Sequence, residues 1–226
     1  MPEPVFILGG YQTDFARNLL KEGKGILDMM EEVVTGTLDA TGVAPSEVDV
    51  AHVGNFVGEL YVKQGQLGGL VAEVEPRLSG IPTARHEAAC ASGSIAALAA
   101  SAEIEAQRYG VALVVGMEQM KTVDPATGAD FLGTAAWYED EAKGVDFAFP
   151  ALFARLGDEY ERRYGLRQEH LTRIAEINFA NARRNPHAQT RAWFTDDTQA
   201  AELRAGKYDR PVAGRLRVRD CSQVTD

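Results

Sequence analysis

Apolar and polar positions follow a sheet-like rhythm in the first half of this chain and a mostly helical one in the second. Residues 5–8 form a short unbroken apolar run closed by Gly9-Gly10, the pattern of a buried strand entering a turn. From about residue 26 to 41 the apolar positions Ile26, Met29, Met30, Val33, Val34 and Leu38 recur at helical spacing, and Gly42 supplies a stop. Residues 49–54 predict a second strand, and residues 63–80 a helix with loops. Residues 83–86 predict a third strand, which runs straight into Ala88–Ser94 and then into Ile95–Ala100, a good helix former made almost wholly of small residues. Residues 111–115 complete the alternation as a fourth strand. Strands separated by helices in this order imply a mainly parallel sheet covered on both faces.

The rhythm changes after about Lys121. Residues 121–150 read as loop, punctuated by Pro125, Gly128, Gly133, Gly144 and Pro150. Helices are predicted at about 151–164 and 168–184, with a further short one at 195–205. The expected organisation is an α/β core over 1–120 and an excursion of helix and loop over 121–215.

Composition narrows the class. The 226 residues are 45% hydrophobic and 25% charged, as in ordinary globular proteins. A formal net charge of −10 argues against a broad nucleic-acid surface, which needs clustered positive charge. No run of about 18 apolar residues predicts a membrane span, and no basic region precedes the first apolar run as in a signal peptide. Two cysteines do not make a disulfide scaffold. A reducing, cytoplasmic compartment is the expectation.

Cys90 is the leading chemical candidate, because it falls where a strand hands over to a helix. Unpaired N–H groups and a partial positive charge at a helix start favour thiolate over thiol. A small buried cysteine in an Ala-rich stretch explains the same residues equally well. His52, His86, His170 and His187 show no paired spacing with Cys or Glu, so no metal site is expected. Gly9-Gly10 and Gly68-Gly69 do not make a dinucleotide or phosphate-loop fingerprint.

Four segments carry a resemblance that decides between the readings. His86-Glu87-Ala88-Ala89-Cys90-Ala91-Ser92-Gly93 resembles the active-cysteine segment of thiolases, roughly N-x-x-C-x-S-G-x-x-A. Val114-Val115-Gly116-Met117-Glu118-Gln119-Met120 is similar to their V-x-G-G-M-E-x-M segment, and Asp220–Asp226 to the start of their N/D-x-S-x-x-x-D-G-A-A segment. Asn185-Pro186-His187-Ala188 resembles a stretch of the sterol-carrier-protein type. Glu87 stands near a position where many thiolases carry Asn, and only one Gly precedes Met117.

The resemblance implies an α/β fold: a thiolase-like N-terminal half, with a mainly parallel sheet between helices and a helical or loop insertion domain. The family's halves each hold a five-strand sheet; residues 216–226 would be the start of the last core strand segment of the first, and this chain would stop just before that strand. It also implies acyl-CoA C-acyltransferase chemistry: Cys90 accepts an acyl group from a coenzyme A thioester, in 3-ketoacyl-CoA thiolysis or Claisen condensation. Coenzyme A thioesters are then substrates, with no bound cofactor. The family's other groups, a histidine in G-H-P, a second cysteine in C-x-G and an asparagine-bearing segment, do not occur in this sequence. A C-terminal half or a second polypeptide is therefore the expected partner, within a homo- or hetero-oligomer. The isolated chain is expected to be inactive in turnover.

Within the basic stretch 204–219, Arg210, Arg215 and Arg217 are candidates for holding CoA phosphates, the alternative being a solvated loop. Cys221 lacks the C-x-G pattern and is read as structural. Two further functions remain open: a related condensing enzyme such as a ketoacyl or hydroxymethylglutaryl synthase, and a non-catalytic thiolase-like subunit.

Overall fold

A computed structural model describes residues 4–226. They form two compact units, one from residues up to Thr13 with Asn18–Thr122 and Asp226, the other from Asp14–Arg17 with Val123–Thr225.

The first unit is built on a parallel three-stranded sheet of order β2-β1-β3: β1 is Val50–Gly54, β2 Thr83–His86 and β3 Ala112–Gly116. Helix α1 (Ile26–Thr41) buries Met29, Met30, Val34 and Leu38, as its spacing predicts, and ends at Gly42 in a left-handed turn with φ 69°. Only a residue without Cβ adopts that turn freely, and its N–H returns to the Leu38 carbonyl. The short α2 (Gly58–Tyr61) and α3 (Leu67–Val74) follow β1. Leu67 and Val71 of α3 join α1 in one apolar cluster with Ala51, Val53, Leu113 and Val115 from one sheet face. Helix α4 (Ser92–Glu105) covers the other face.

The expected strand at residues 5–8 does not form. β1 and β3 bond directly to each other from Val50↔Ala112 to Gly54↔Gly116, which leaves no place between them. The segment lies along α1 instead. Tyr11 packs its ring on Gly36, where an added Cβ would come within 2.7 Å of it, and its hydroxyl donates to Glu32. Phe6, Ile7 and Leu8 are exposed. The sheet among the described residues thus has three strands, not the four that the rhythm suggested or the five of a family half.

The second unit contains α5 (Pro125–Gly133), α6 (Ala148–Tyr164), α7 (Gln168–Ala182), α8 (Asp196–Arg204) and the small antiparallel pair β4 (Pro211–Ala213) and β5 (Leu216–Arg217). Its core packs Phe194, Leu203 and Tyr208 against Phe179, Trp193 and Val218. Helix α5 falls in a stretch expected to be loop. Asp124 starts it by accepting from the Ala126 and Thr127 N–H groups, with Pro125 at the first helical position.

Candidate active site

The parallel strands of the first unit end together at Gly54, His86 and Gly116, and the chemistry-bearing segments all leave from that edge. In open α/β sheets this is the edge at which ligands bind. Beyond β2 the chain makes a tight 3-10 turn, Ala89–Ala91, before α4 begins. Cys90 sits in that turn with its side chain exposed. The residue before it, Ala89, has φ 49°, a left-handed conformation that costs a non-glycine residue roughly 1–2 kcal/mol.

Local hydrogen bonds hold this strained shape. Ser92 Oγ accepts from the Ala88 N–H at 3.0 Å and donates to the Ala89 carbonyl at 2.6 Å. Glu87 Oε1 accepts from the Ala89 N–H at 2.6 Å, so the residue that departs from the family's Asn closes the turn from outside. Ser92 is buried, whereas Cys90 is not, although they lie two residues apart. Helix α4 starts without a side-chain cap hydrogen bond at Ala91, and the positive end of its dipole faces the turn.

Gly54 brings α4 onto the sheet. A Cβ there would lie 2.6 Å from both Cα and N of Gly93. That contact sets the height of the helix start, and with it the height of Cys90, above the strand ends. Ala96 and Ala100 continue the close approach along α4.

A second bracket joins the ends of β1 and β3. Asn55 Nδ2 donates to the Met117 carbonyl and to Glu118 Oε1, while its Oδ1 accepts from Gly58 N–H. Glu118 Oε2 accepts from the Phe56 and Val57 N–H groups at 2.8 and 3.3 Å. Burial nonetheless pushes the Glu118 carboxyl above the ordinary carboxylate range, partly offset by those bonds. Burial and the Glu118 charge push the Tyr61 hydroxyl up to about 12. Arg85 extends the bracket, donating to the Phe56 carbonyl and pairing with Glu59.

The histidines read as unrelated in sequence are partly related in space. His52 and His86 are in contact, with Glu103 beyond them. No spacing rule finds such a group, because its members stand on two strands and a helix. Among the described residues no cluster of three His, Cys, Asp or Glu side chains is arranged to hold a metal ion, and no helix is long and apolar enough to cross a membrane.

Cys90 lies in the first unit and the three candidate arginines in the second, where they occupy different surroundings. Arg215 bonds Asp158 at 3.0 Å, Glu161 and the Leu166 carbonyl. Arg217 bonds Asp209 through its carbonyl and carboxylate. Arg210 lines an open pocket of about 460 Å³ together with Trp193, Lys207, Tyr208, Val218 and Gln223. Cys221 is half-buried, and burial and Asp220 push its thiol pKa up.

Residues 5–197 match the family described as thiolase, N-terminal domain. Acetyl-CoA acetyltransferases of Methanothermobacter thermautotrophicus and Methanocaldococcus jannaschii are 32% and 34% identical to the chain, over 98% of its length in each case. Sterol carrier protein 2 of Rattus norvegicus is 25% identical over the same share. These alignments cover 54%, 53% and 40% of the relatives themselves, so the chain spans about half the length of the two acetyltransferases. The chain belongs to the thiolase family, and most of it matches that family's N-terminal domain.

Proposed function

We propose that this chain carries the acyl-accepting nucleophile of an acyl-CoA C-acyltransferase, and that the nucleophile is Cys90. One observation carries the reading most: an exposed thiol held on a strained strand-to-helix turn, at the uncapped start of α4. A buried structural cysteine needs neither the exposure nor the strain.

In this reading the Cys90 thiolate attacks the carbonyl carbon of an acyl-CoA. The Sγ–acyl bond forms, the acyl–sulfur bond to CoA breaks, and CoA leaves as a thiolate that takes up a proton. The acyl group then passes to the α carbon of a second acyl-CoA, or the sequence runs backwards as thiolysis. Deprotonating that α carbon needs a base and oxyanion donors. In family terms these belong to the G-H-P, C-x-G and asparagine segments, which a C-terminal half or partner chain would supply. The exposed Ile95 and Leu98 of α4 are consistent with a covering element. Residues 1–120 then act as the nucleophile-bearing core and 121–215 as the loop domain.

For the CoA end, Arg210 is the favoured one of the three arginines. Trp193 and Tyr208 line its pocket, and Lys207, which lies over the Tyr208 ring, adds a second cation. Arg215 and Arg217 are already engaged by carboxylates.

The test is to incubate the chain with acetyl-CoA or acetoacetyl-CoA and locate the acyl group by peptide mass spectrometry. Acylation confined to Cys90 and lost in Cys90→Ser supports the reading. No acyl-enzyme on Cys90, alone or with a chain carrying the complementary segments, overturns it and favours a non-catalytic subunit.

A further inference from the structure

The chemistry above leaves a buried imidazole unused. His52, only 2% exposed, stands in the middle of β1. Its Nε2 is 3.0 Å from Glu103 Oε2 on α4, and its Nδ1 is 2.8 Å from His86 Nε2 at the end of β2. The register explains the meeting. His52 lies opposite Ala84 and Gly54 opposite His86, so both rings emerge on the α4 side of the sheet, two rows apart. His86 is level with Gly54, the residue that touches the start of α4.

These contacts close a ring. From His86 the backbone passes through Glu87, the strained Ala89 and Cys90 into α4 as far as Glu103. From Glu103 the path returns through the His52 imidazole to His86. Cys90 thus lies in the covalent arc of a loop whose other arc is two hydrogen bonds. The two bonds tie the end of β2 to α4 through side chains, beside the β1 ladder and the Gly54–Gly93 contact, and the turn between them carries stored strain.

Proton counting gives the ring its states. An ionised Glu103 accepts from His52 Nε2–H, so a neutral His52 presents a bare Nδ1 that accepts from His86 Nε2–H. One added proton is tolerated, since a cationic His52 donates from both nitrogens once His86 carries its own proton on Nδ1. A second added proton sets N–H against N–H and breaks the contact. The groups facing His86 are His52 from β1 and Glu103 from α4. Glu105 of α4 is held by Ser101, and Glu87 by the Ala89 N–H. Arg85, next on β2, points to the opposite face and pairs with Glu59; Glu73 of α3 also belongs to that side. Burial first, and His52 second, hold the His86 pKa below the ordinary imidazole value, while Glu103 pulls it the other way.

We propose that Glu103, His52 and His86 are positioning residues for Cys90, holding the strand-to-helix turn in its reactive shape and releasing it when both rings are protonated. This rests on Cys90 being the nucleophile. It adds an acid-side limb to acyl transfer that the thiol's own ionisation does not produce.

The test compares two reactions of Cys90 in the full chain from about pH 8 to about pH 5, the range in which imidazoles titrate. Alkylation by iodoacetamide needs only the thiolate, whereas acylation by acetyl-CoA also needs the shape of the turn. The ratio of acylation to alkylation should fall with acid in the wild type, approaching tenfold per pH unit once the pair is protonated. His86→Gln removes the opposed N–H groups and should give a flat ratio; Glu103→Leu, which leaves His52 Nε2–H without its acceptor, should lower it already at neutral pH. A flat wild-type ratio, or a His86→Gln ratio that still falls, overturns the proposal. If Cys90 takes no acyl group at all, the nucleophile assignment fails instead. The ring is then read by imidazole nitrogen NMR on the wild type, which also serves if a variant does not fold. Support there is an Nε2–H tautomer on both rings near neutrality and a joint titration that shifts the Ala89, Cys90 and Ala91 amides. Independent titrations, or amides that stay put, overturn it.

Discussion

Gly54 and Gly93 meet backbone to backbone, so closely that a Cβ on Gly54 would stand 2.6 Å from the Gly93 Cα, whereas a Cβ on Gly93 would meet nothing within 4 Å. The two glycines of one contact are therefore not equivalent. Gly54 permits the approach of α4 to the sheet, and Gly93 merely lies on the far side of it.

The first prediction follows from that asymmetry. Gly54→Ala must push backbone rather than a flexible side chain, and overpacking of this kind costs about 1–3 kcal/mol. It should lower the urea midpoint and, by lifting the helix start, slow acylation of Cys90. Gly93→Ala has open space and gains helix propensity, so its stability should change by less than about 1 kcal/mol. Equal losses from the two substitutions would refute the account of the contact.

The two cysteines should react at different rates. Cys90 is exposed at the start of α4, while burial and the Asp220 charge hold the Cys221 thiol above the ordinary value. Near neutral pH iodoacetamide should label Cys90 at least about tenfold faster in the native chain, because the thiolate is the nucleophile. The gap should close in denaturant. Peptide-resolved mass spectrometry measures both rates in one sample, and comparable native rates would remove the support for a privileged thiol.

Much of this architecture was legible because periodicity and punctuation agreed. α1 runs over the interval its apolar spacing marks and stops at the glycine expected to stop it. The β2-to-α4 junction was readable from residue order alone, and the exposure of Cys90 within it was not. Residues 5–8 mislead because an apolar run reports the wish to be buried, not which partner is free. Here β1 and β3 already satisfy each other. Asp124-Pro125 was a helix-start signal passed over among the glycines and prolines of the loop. The Glu103–His52–His86 chain was out of reach, since it depends on strand register, a long-range property. The arginines show the same limit: charge clustering is visible in sequence, but the carboxylates that engage Arg215 and Arg217 lie 8 to 57 residues away.

Arginine substitutions should separate into two classes. Arg210→Ala should weaken CoA binding more than binding of a pantetheine thioester, with a loss that shrinks as salt rises. Its effect on stability should be small, because no ion pair of Arg210 occurs among the described residues. Arg215→Ala breaks contacts to Asp158, Glu161 and the Leu166 carbonyl, and should instead lower the melting temperature. Isothermal titration with CoA and with the truncated thioester, beside a thermal melt, distinguishes the classes. Equal losses for the two ligands would take Arg210 off the phosphates.

The last prediction concerns Glu118, whose carboxylate accepts from two backbone N–H groups with one oxygen and from Asn55 with the other. In Glu118→Gln the amide oxygen can keep the Phe56 and Val57 N–H groups. The amide NH2 must then face Asn55 Nδ2, another donor, whose orientation is fixed by Gly58 N–H on Asn55 Oδ1. A buried donor left facing a donor costs about 1–3 kcal/mol, so the variant should be less stable at neutral pH by that order. The pH dependence has a definite sign. Burial holds the folded pKa of Glu118 above its unfolded value, so the native state takes up this proton before the unfolded state does. The Glu118 contribution to stability therefore rises as pH falls from above the folded pKa towards the unfolded carboxylate range. Glu118→Gln cannot titrate, so the difference in stability between wild type and variant should widen on acidification through that window. Urea midpoints at neutral pH and near pH 5 measure it. A difference that narrows with acid would show that the bonds to Phe56, Val57 and Asn55 outweigh burial, and that Glu118 belongs in the native state as a carboxylate.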